Sequence, residues 1–208
     1  MKHNEPIQPF AIAMPLTLEK TTDQRIVYSG CTWEQFKLIQ HGFANAANVR
    51  LFYYEDTIEI LMPGTDHEFF KSTIGMLIEM FLFEKGIEFA PTGSVTQERE
   101  MIASAQADES YCIGTSTRRA TPDLSIEVVF TSGSLGKLVR YRAIGVPEAW
   151  FWQDGAFTLY HLRDNDYVRI DRSELLGLED LNFALLAQCI LMAGTSVLEA
   201  ARTFRVGI

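Results

Sequence analysis

The sequence predicts an α/β (α+β) domain in which a mixed or mostly antiparallel central sheet is flanked by helices. Three observations predict it. Segments with helical periodicity alternate with short β-rich segments, capping-box spacings stand before two of the helical segments, and turn residues separate the strands. A length of 208 residues suits one domain, 1–208, with a sizeable core, and 47% hydrophobic against 22% charged residues is a globular balance.

Residues 1–15 are polar and proline-bearing, which predicts an extended arm. Thr32-x-x-Gln35 is a capping box in front of a helix over 33–43. Segments 49–54 and 57–61 flank Glu55-Asp56 and predict a β-hairpin. Thr65-x-x-Glu68 repeats the capping-box spacing at the start of a second helix. Phe70, Ile74, Leu77, Ile78 and Phe81 then recur on one face of that helix, and Gly86 ends it. Residues 87–106 predict one strand with an irregular return. Strands follow at 110–113 and 123–130, a short helix at 134–144, three strands at 148–153, 157–162 and 167–170, and helices at 181–192 and 196–204.

No apolar run approaches the roughly 20 residues of a membrane span, and no basic-then-apolar leader opens the chain. Cys31, Cys112 and Cys189 form no CxxC pair, which predicts reduced, buried thiols in a cytoplasmic protein. The net charge of −9 opposes extended non-specific nucleic-acid binding, which needs a basic field, but leaves room for a local basic cleft.

The chemistry concentrates between Asp108 and Lys137. If the strands around 110–113 and 123–130 close symmetrically over the polar loop 114–121, Ile113 faces Pro122, Cys112 faces Asp123 and Asp108 faces Glu127. Directly opposed side chains have Cβ atoms about 5 Å apart, so two carboxylates there can share one divalent ion. Asp123 and Glu127 share a strand face but lie four residues apart, about 13 Å along the strand, too far to share an ion. Asp123 therefore reads as a strand-start residue. Glu127 stands in a run of Leu124, Ile126, Val128 and Val129, where a carboxylate is costly unless paired or metal-bound. Two acids held together also repel, which predicts that removing either one leaves the metal-free protein as stable or slightly more so.

These residues resemble the Uma family of restriction endonucleases, which is assigned to the PD-(D/E)xK superfamily. The resemblance covers most of 30–180. It is carried by PDLSIEV (122–128), GKLVRYRAIGVPEAWFW (136–152), TLYHL (158–162) and, more weakly, TDHEFF (65–70). It implies a restriction-endonuclease-like fold and a metal-dependent nuclease acting on DNA. Asp108 and Glu127 would hold Mg2+ or Mn2+, Lys137 would be the catalytic lysine, displaced onto a helix from the Val129 position, and His67 would be a site histidine. A homodimer is implied too, and the surplus of apolar residues over 181–192 points the same way. The sequence departs from the family at Ala107, where a proline often precedes the aspartate, so Glu109 stands beside Asp108 as a candidate ligand. It departs again at Thr131-Ser132-Gly133-Ser134, where Ser-Pro-Ser is usual.

Taken by themselves, the same residues admit other roles. Lys137 alone reads as a solvated helix lysine, and Tyr141, one turn on, as its orienter or a packing residue. His67 falls at the edge of the apolar stripe of its helix and reads as a site residue or a satisfied core histidine, whereas Glu68 points away and reads as the capping partner of Thr65. Trp33, Trp150 and Trp152 read as core. A non-catalytic binding or regulatory module that keeps the fold is the competing function, favoured by the acidic charge. Acyl hydrolysis has no support, since there is no GxSxG.

Overall fold

The computed structural model describes residues 22–46, 48–130 and 134–208, so the arm expected over 1–15 lies outside it. The described chain begins at a strand that the sequence pattern does not predict, β1 (Gln24–Ser29), exposed along its whole length. Helix α1 (Trp33–Gly42) opens with the expected capping box: the Thr32 hydroxyl accepts from the Gln35 N–H at 3.3 Å, and the Gln35 side chain accepts from the Thr32 N–H at 2.9 Å. Strands β2 (Arg50–Tyr54) and β3 (Thr57–Met62) form the expected hairpin, and Glu55 and Asp56 take φ values of 44° and 56°, the left-handed pair that a two-residue type I′ turn requires.

Helix α2 (Thr65–Glu84) corrects one expectation. Its N-cap is Gly64, with no side-chain cap, and the Thr65–Glu68 capping box does not form. The carboxylate of Asp23 accepts from the Gly64 N–H at 2.9 Å instead, and Glu68 turns to Arg50, which donates to it at 2.8 Å. A buried guanidinium is the stronger partner for that carboxylate.

Residues 87–106 contain three short strands, β4 (Phe89–Pro91), β5 (Thr96–Arg99) and β6 (Ala103–Gln106), in place of the one expected. Then come β7 (Glu109–Ile113), β8 (Leu124–Val128), α3 (Ser134–Ile144), β9 (Glu148–Gln153), β10 (Ala156–Arg163), β11 (Asp166–Ile170), α4 (Phe183–Ala193) and α5 (Val197–Val206).

The strands form two sheets, where the sequence suggested one. The first has the order β1-β3-β2-β6-β5 and the second β11-β10-β9-β8-β7-β4. All pairs are antiparallel except β8–β9, which is parallel because α3 carries the chain back between them. The chain passes from one sheet to the other at Ala107-Asp108, between β6 and β7. The β7–β8 register pairs Glu109 with Ile126, Ser110 with Ser125 and Tyr111 with Leu124, which is the symmetric register expected over the 114–121 loop.

Three apolar clusters define the layers. Leu124, Ile126 and Val128 on one face of β8 pack with Ile74, Leu77, Ile78 and Phe81 of α2 and with Leu186 and Ile190 of α4. Phe52 and Leu61 of the first sheet pack with Leu138 and Tyr141 of α3 and with Ala149 and Phe151 of the second sheet. Trp33 and Phe36 of α1 cover Leu51, Tyr53 and Ile58 on the outer face of the first sheet. The tryptophans and the three cysteines are buried, and the cysteines are unpaired thiols. Among the described residues no helix is long and apolar enough to cross a membrane.

Candidate active site

Strand alternation decides which acids meet. Glu109 and Ile126 form one cross-strand pair, so the next register position sets Asp108 opposite Glu127 on the other face. That face looks into the space between the two sheets. Glu109 looks the other way, toward α2, where Gly75 leaves room: a Cβ there would lie 3.5 Å from the Glu109 carboxyl carbon. Burial, with Glu79 nearby adding to it against the opposing charge of Lys71, raises the Glu109 carboxyl to about 7. Of the two neighbouring acids, Asp108 is the one that faces Glu127.

Asp108 is buried at the point where β7 begins. Its Oδ2 accepts from the Val128 N–H at 2.6 Å, holding the two strands together where the ladder ends. Its Oδ1 meets His67 Nε2 at 2.7 Å and pairs with Arg50. Glu127 is fully buried. Lys137 Nζ donates to its Oε2 at 2.6 Å, and the Tyr141 hydroxyl donates to Oε1. Lys137 and Tyr141 are one turn apart on α3, so one helix face grips both oxygens. Burial first, then the negative charge of Glu127, push the Tyr141 hydroxyl well above its ordinary value, so it stays a donor. Val129, the position where an unshifted lysine would stand, is buried in the apolar cluster between the sheets.

His67, at the first turn of α2, is fully buried. Its Nδ1 faces the Asp23 carboxylate at 3.0 Å while Nε2 faces Asp108. Burial alone would raise the Asp23 carboxyl, but the hydrogen bonds from His67 and the Gly64 N–H and the charges of His67 and Lys137 lower it overall. Asp23 thus belongs to the same cluster as Lys137. Arg50 bridges Asp108 and Glu68. Deeper between the sheets, Glu59 accepts from Arg25 Nε at 2.8 Å and from Arg140 Nη2 at 2.6 Å.

The four residues singled out in the sequence, His67, Asp108, Glu127 and Lys137, therefore converge. Asp123 stays apart, accepting from the Ile113 N–H at 2.7 Å as a strand-end residue. Sequence reasoning missed Asp23, Arg50 and the donor role of Tyr141. Arg50 had a signal: it shares a strand face with Phe52, so a charge interrupts an apolar face there just as Glu127 does on β8. Asp23 had none, because it precedes a strand with no readable pattern. The expected repulsion between Asp108 and Glu127 is offset, since each carboxylate already holds its own cation.

The donor chemistry suits a hard divalent ion. Two carboxylates are what Mg2+ or Mn2+ takes from a protein when it keeps several waters. Among the described residues no three His, Cys, Asp or Glu side chains form a ready-made cage, and Arg50 and Lys137 stand on the oxygens that an ion would take.

A comparison with curated proteins finds no significant match. The family model described as "Uma2: Putative restriction endonuclease" matches residues 33–187, well over half of the chain, from α1 into α4 and including His67, Asp108, Glu127 and Lys137. The chain belongs to the Uma2 restriction-endonuclease family.

Proposed function

We infer that this protein is a metal-dependent endonuclease that hydrolyses DNA phosphodiester bonds at the Asp108–Glu127–Lys137 cluster. What carries the reading is the convergence of two cross-strand acids and a buried lysine at the crossover between the sheets, in a chain of this family. Mg2+ or Mn2+ held by Asp108 and Glu127 would polarise a phosphoryl oxygen and acidify the attacking water. The protein's own groups do the rest. Lys137, presented by α3, orients the water and stabilises charge on the phosphoryl oxygens. Tyr141 fixes the second oxygen of Glu127, and His67, steadied by Asp23, orients Asp108. The water gives up a proton to solvent as its oxygen bonds to phosphorus, the bond to the leaving sugar oxygen breaks, and that oxygen takes up a proton from solvent. A homodimer would present two such sites to two strands.

A specific observation favours a second reading. Every oxygen of Asp108 and Glu127 already has a partner, as in a structural ion-pair network retained by a non-catalytic binding or regulatory module. Incubating plasmid and single-stranded DNA with the protein and Mn2+ separates the two. The endonuclease reading expects cleavage that Glu127→Ala abolishes. Equal nicking by wild type and Glu127→Ala, or no cleavage of either substrate, leaves the module.

A further inference from the structure

Among the described residues the buried Lys and Arg side chains are Arg50, Lys137 and Arg140, and all three face the space between the sheets. Arg50 is held by Asp108 and Glu68, and Lys137 by Glu127. Arg140 is different. Its Nη2 donates to Glu59 at 2.6 Å, but Glu59 is shared with Arg25, which reaches it through Nε at 2.8 Å and Nη2 at 3.2 Å. Two guanidinium groups thus divide one carboxylate, leaving an excess positive charge. The Nε and Nη1 of Arg140 are buried and meet no acceptor among the described residues, although the side chain is only 8% exposed.

Arg140 and Lys137 are three residues apart on α3 and flank the same ring: the Arg140 guanidinium carbon is 5.0 Å and Lys137 Nζ 5.6 Å from the centre of Phe52. Contact with the Phe52 ring supplies no hydrogen-bond acceptor for the Arg140 Nε–H and Nη1–H groups. Buried charged donors without acceptors are rare in folded proteins. An anion with several oxygens would satisfy them. The local excess of positive charge also explains how a protein of net charge −9 can hold a polyanion at one point.

We propose that Arg140 is a phosphate-binding residue, whose free Nε–H and Nη1–H groups take a non-bridging oxygen of a phosphodiester brought against Lys137. The proposal rests on the endonuclease reading for the identity of the substrate, but the anion site is testable without it. Arg140→Lys keeps a cation for Glu59 while removing the guanidinium donors, and Arg140→Gln removes both. Inorganic phosphate is titrated into wild type and both variants by calorimetry, and KM and kcat for DNA cleavage are measured on the same preparations. In wild type the Arg140 Nε–H resonance is followed during the phosphate titration, a reading that needs no variant to fold. The expected result is that phosphate shifts this resonance, both variants lose phosphate affinity by about tenfold or more, KM rises by a similar factor, and Arg140→Lys melts close to wild type. Unchanged phosphate affinity and KM in Arg140→Lys, or no response of the wild-type resonance, overturns the proposal and leaves Arg140 as the partner of Glu59. The two readings fail separately. Phosphate bound through Arg140 without DNA cleavage sinks the endonuclease and keeps the anion site, and cleavage with unaltered KM in both variants does the reverse.

Discussion

Glu59, Asp108 and Glu127 are carboxylates in a low-dielectric layer, and each persists there because a cation faces it. For Glu59 the balance has a readable pH dependence. Burial would raise its carboxyl, but Arg25 and Arg140 outweigh burial and hold it at about 2, against an ordinary 4.5. A lowered folded-state value contributes stability that is complete above the unfolded value and is lost as pH falls from 4.5 toward 2, up to about 3 kcal/mol. Urea unfolding at pH 7 and pH 3 should therefore show a larger loss for wild type than for Glu59→Gln, and equal losses would mean that the arginines do not hold the carboxylate. Glu127 yields a second prediction. Since Lys137 and Tyr141 lean on it, Glu127→Ala in chelator leaves a buried ammonium without its partner and should cost about 3 kcal/mol. The sequence led to the opposite expectation, relief of acid–acid repulsion, because it shows two acids in register but not the cations that reach them from α3 and β2. A mutant as stable as wild type would restore the repulsion argument. What was legible at this scale was a charge standing where periodicity demands an apolar residue, as at Glu127. Asp23 was illegible because only the folded chain carries it to His67.

Elements with strong local signals were legible in the sequence, and those defined by partners elsewhere in the chain were not. The β2–β3 hairpin follows from its two-residue turn, and the β7–β8 register matches the symmetric closure supposed for the 114–121 loop. The three strands within 89–106 have only three or four residues each, too few for a period-2 pattern to show, and the division into two sheets follows from them. The helix starts give a direct comparison. Thr32 and Thr65 have the same capping-box spacing, yet only Thr32 caps a helix, while the start of α2 is met by Asp23. Thr32→Ala should cost about 1 kcal/mol and Thr65→Ala only a few tenths. Thermal melts of the two variants test this, and equal losses would reinstate the second capping box.

The whole molecule separates its charges: net −9 overall, with its buried arginines and lysine gathered between the sheets. Any phosphate contact is therefore local, and binding should involve few released counterions and a shallow salt dependence. A single site of this kind would cut one strand at a time, so double-strand cleavage in one binding event would call for a second copy. The surface that would mediate it is smaller than the sequence suggested. Most of the apolar surplus of α4 goes inward, with Leu186, Cys189 and Ile190 buried in the core under α2 and α5. What remains outside is Leu191 on α4 and Val197, Leu198 and Val206 on α5, which are 54%, 44%, 61% and 88% exposed. Scattered single exposures are ordinary on a monomer, but these four large apolar residues stand on two helices that pack on each other. If the protein works as a homodimer through this surface, light scattering at tens of micromolar should give twice the 23.5 kDa chain mass. Leu191→Glu combined with Leu198→Glu should then return it to one chain while leaving the melting temperature of that chain unchanged, because neither side chain is part of the buried core. A wild type that stays monomeric across that range would remove the dimer, and double-strand cleavage would then have to proceed by two successive nicks, visible as accumulation of open-circular plasmid before the linear form.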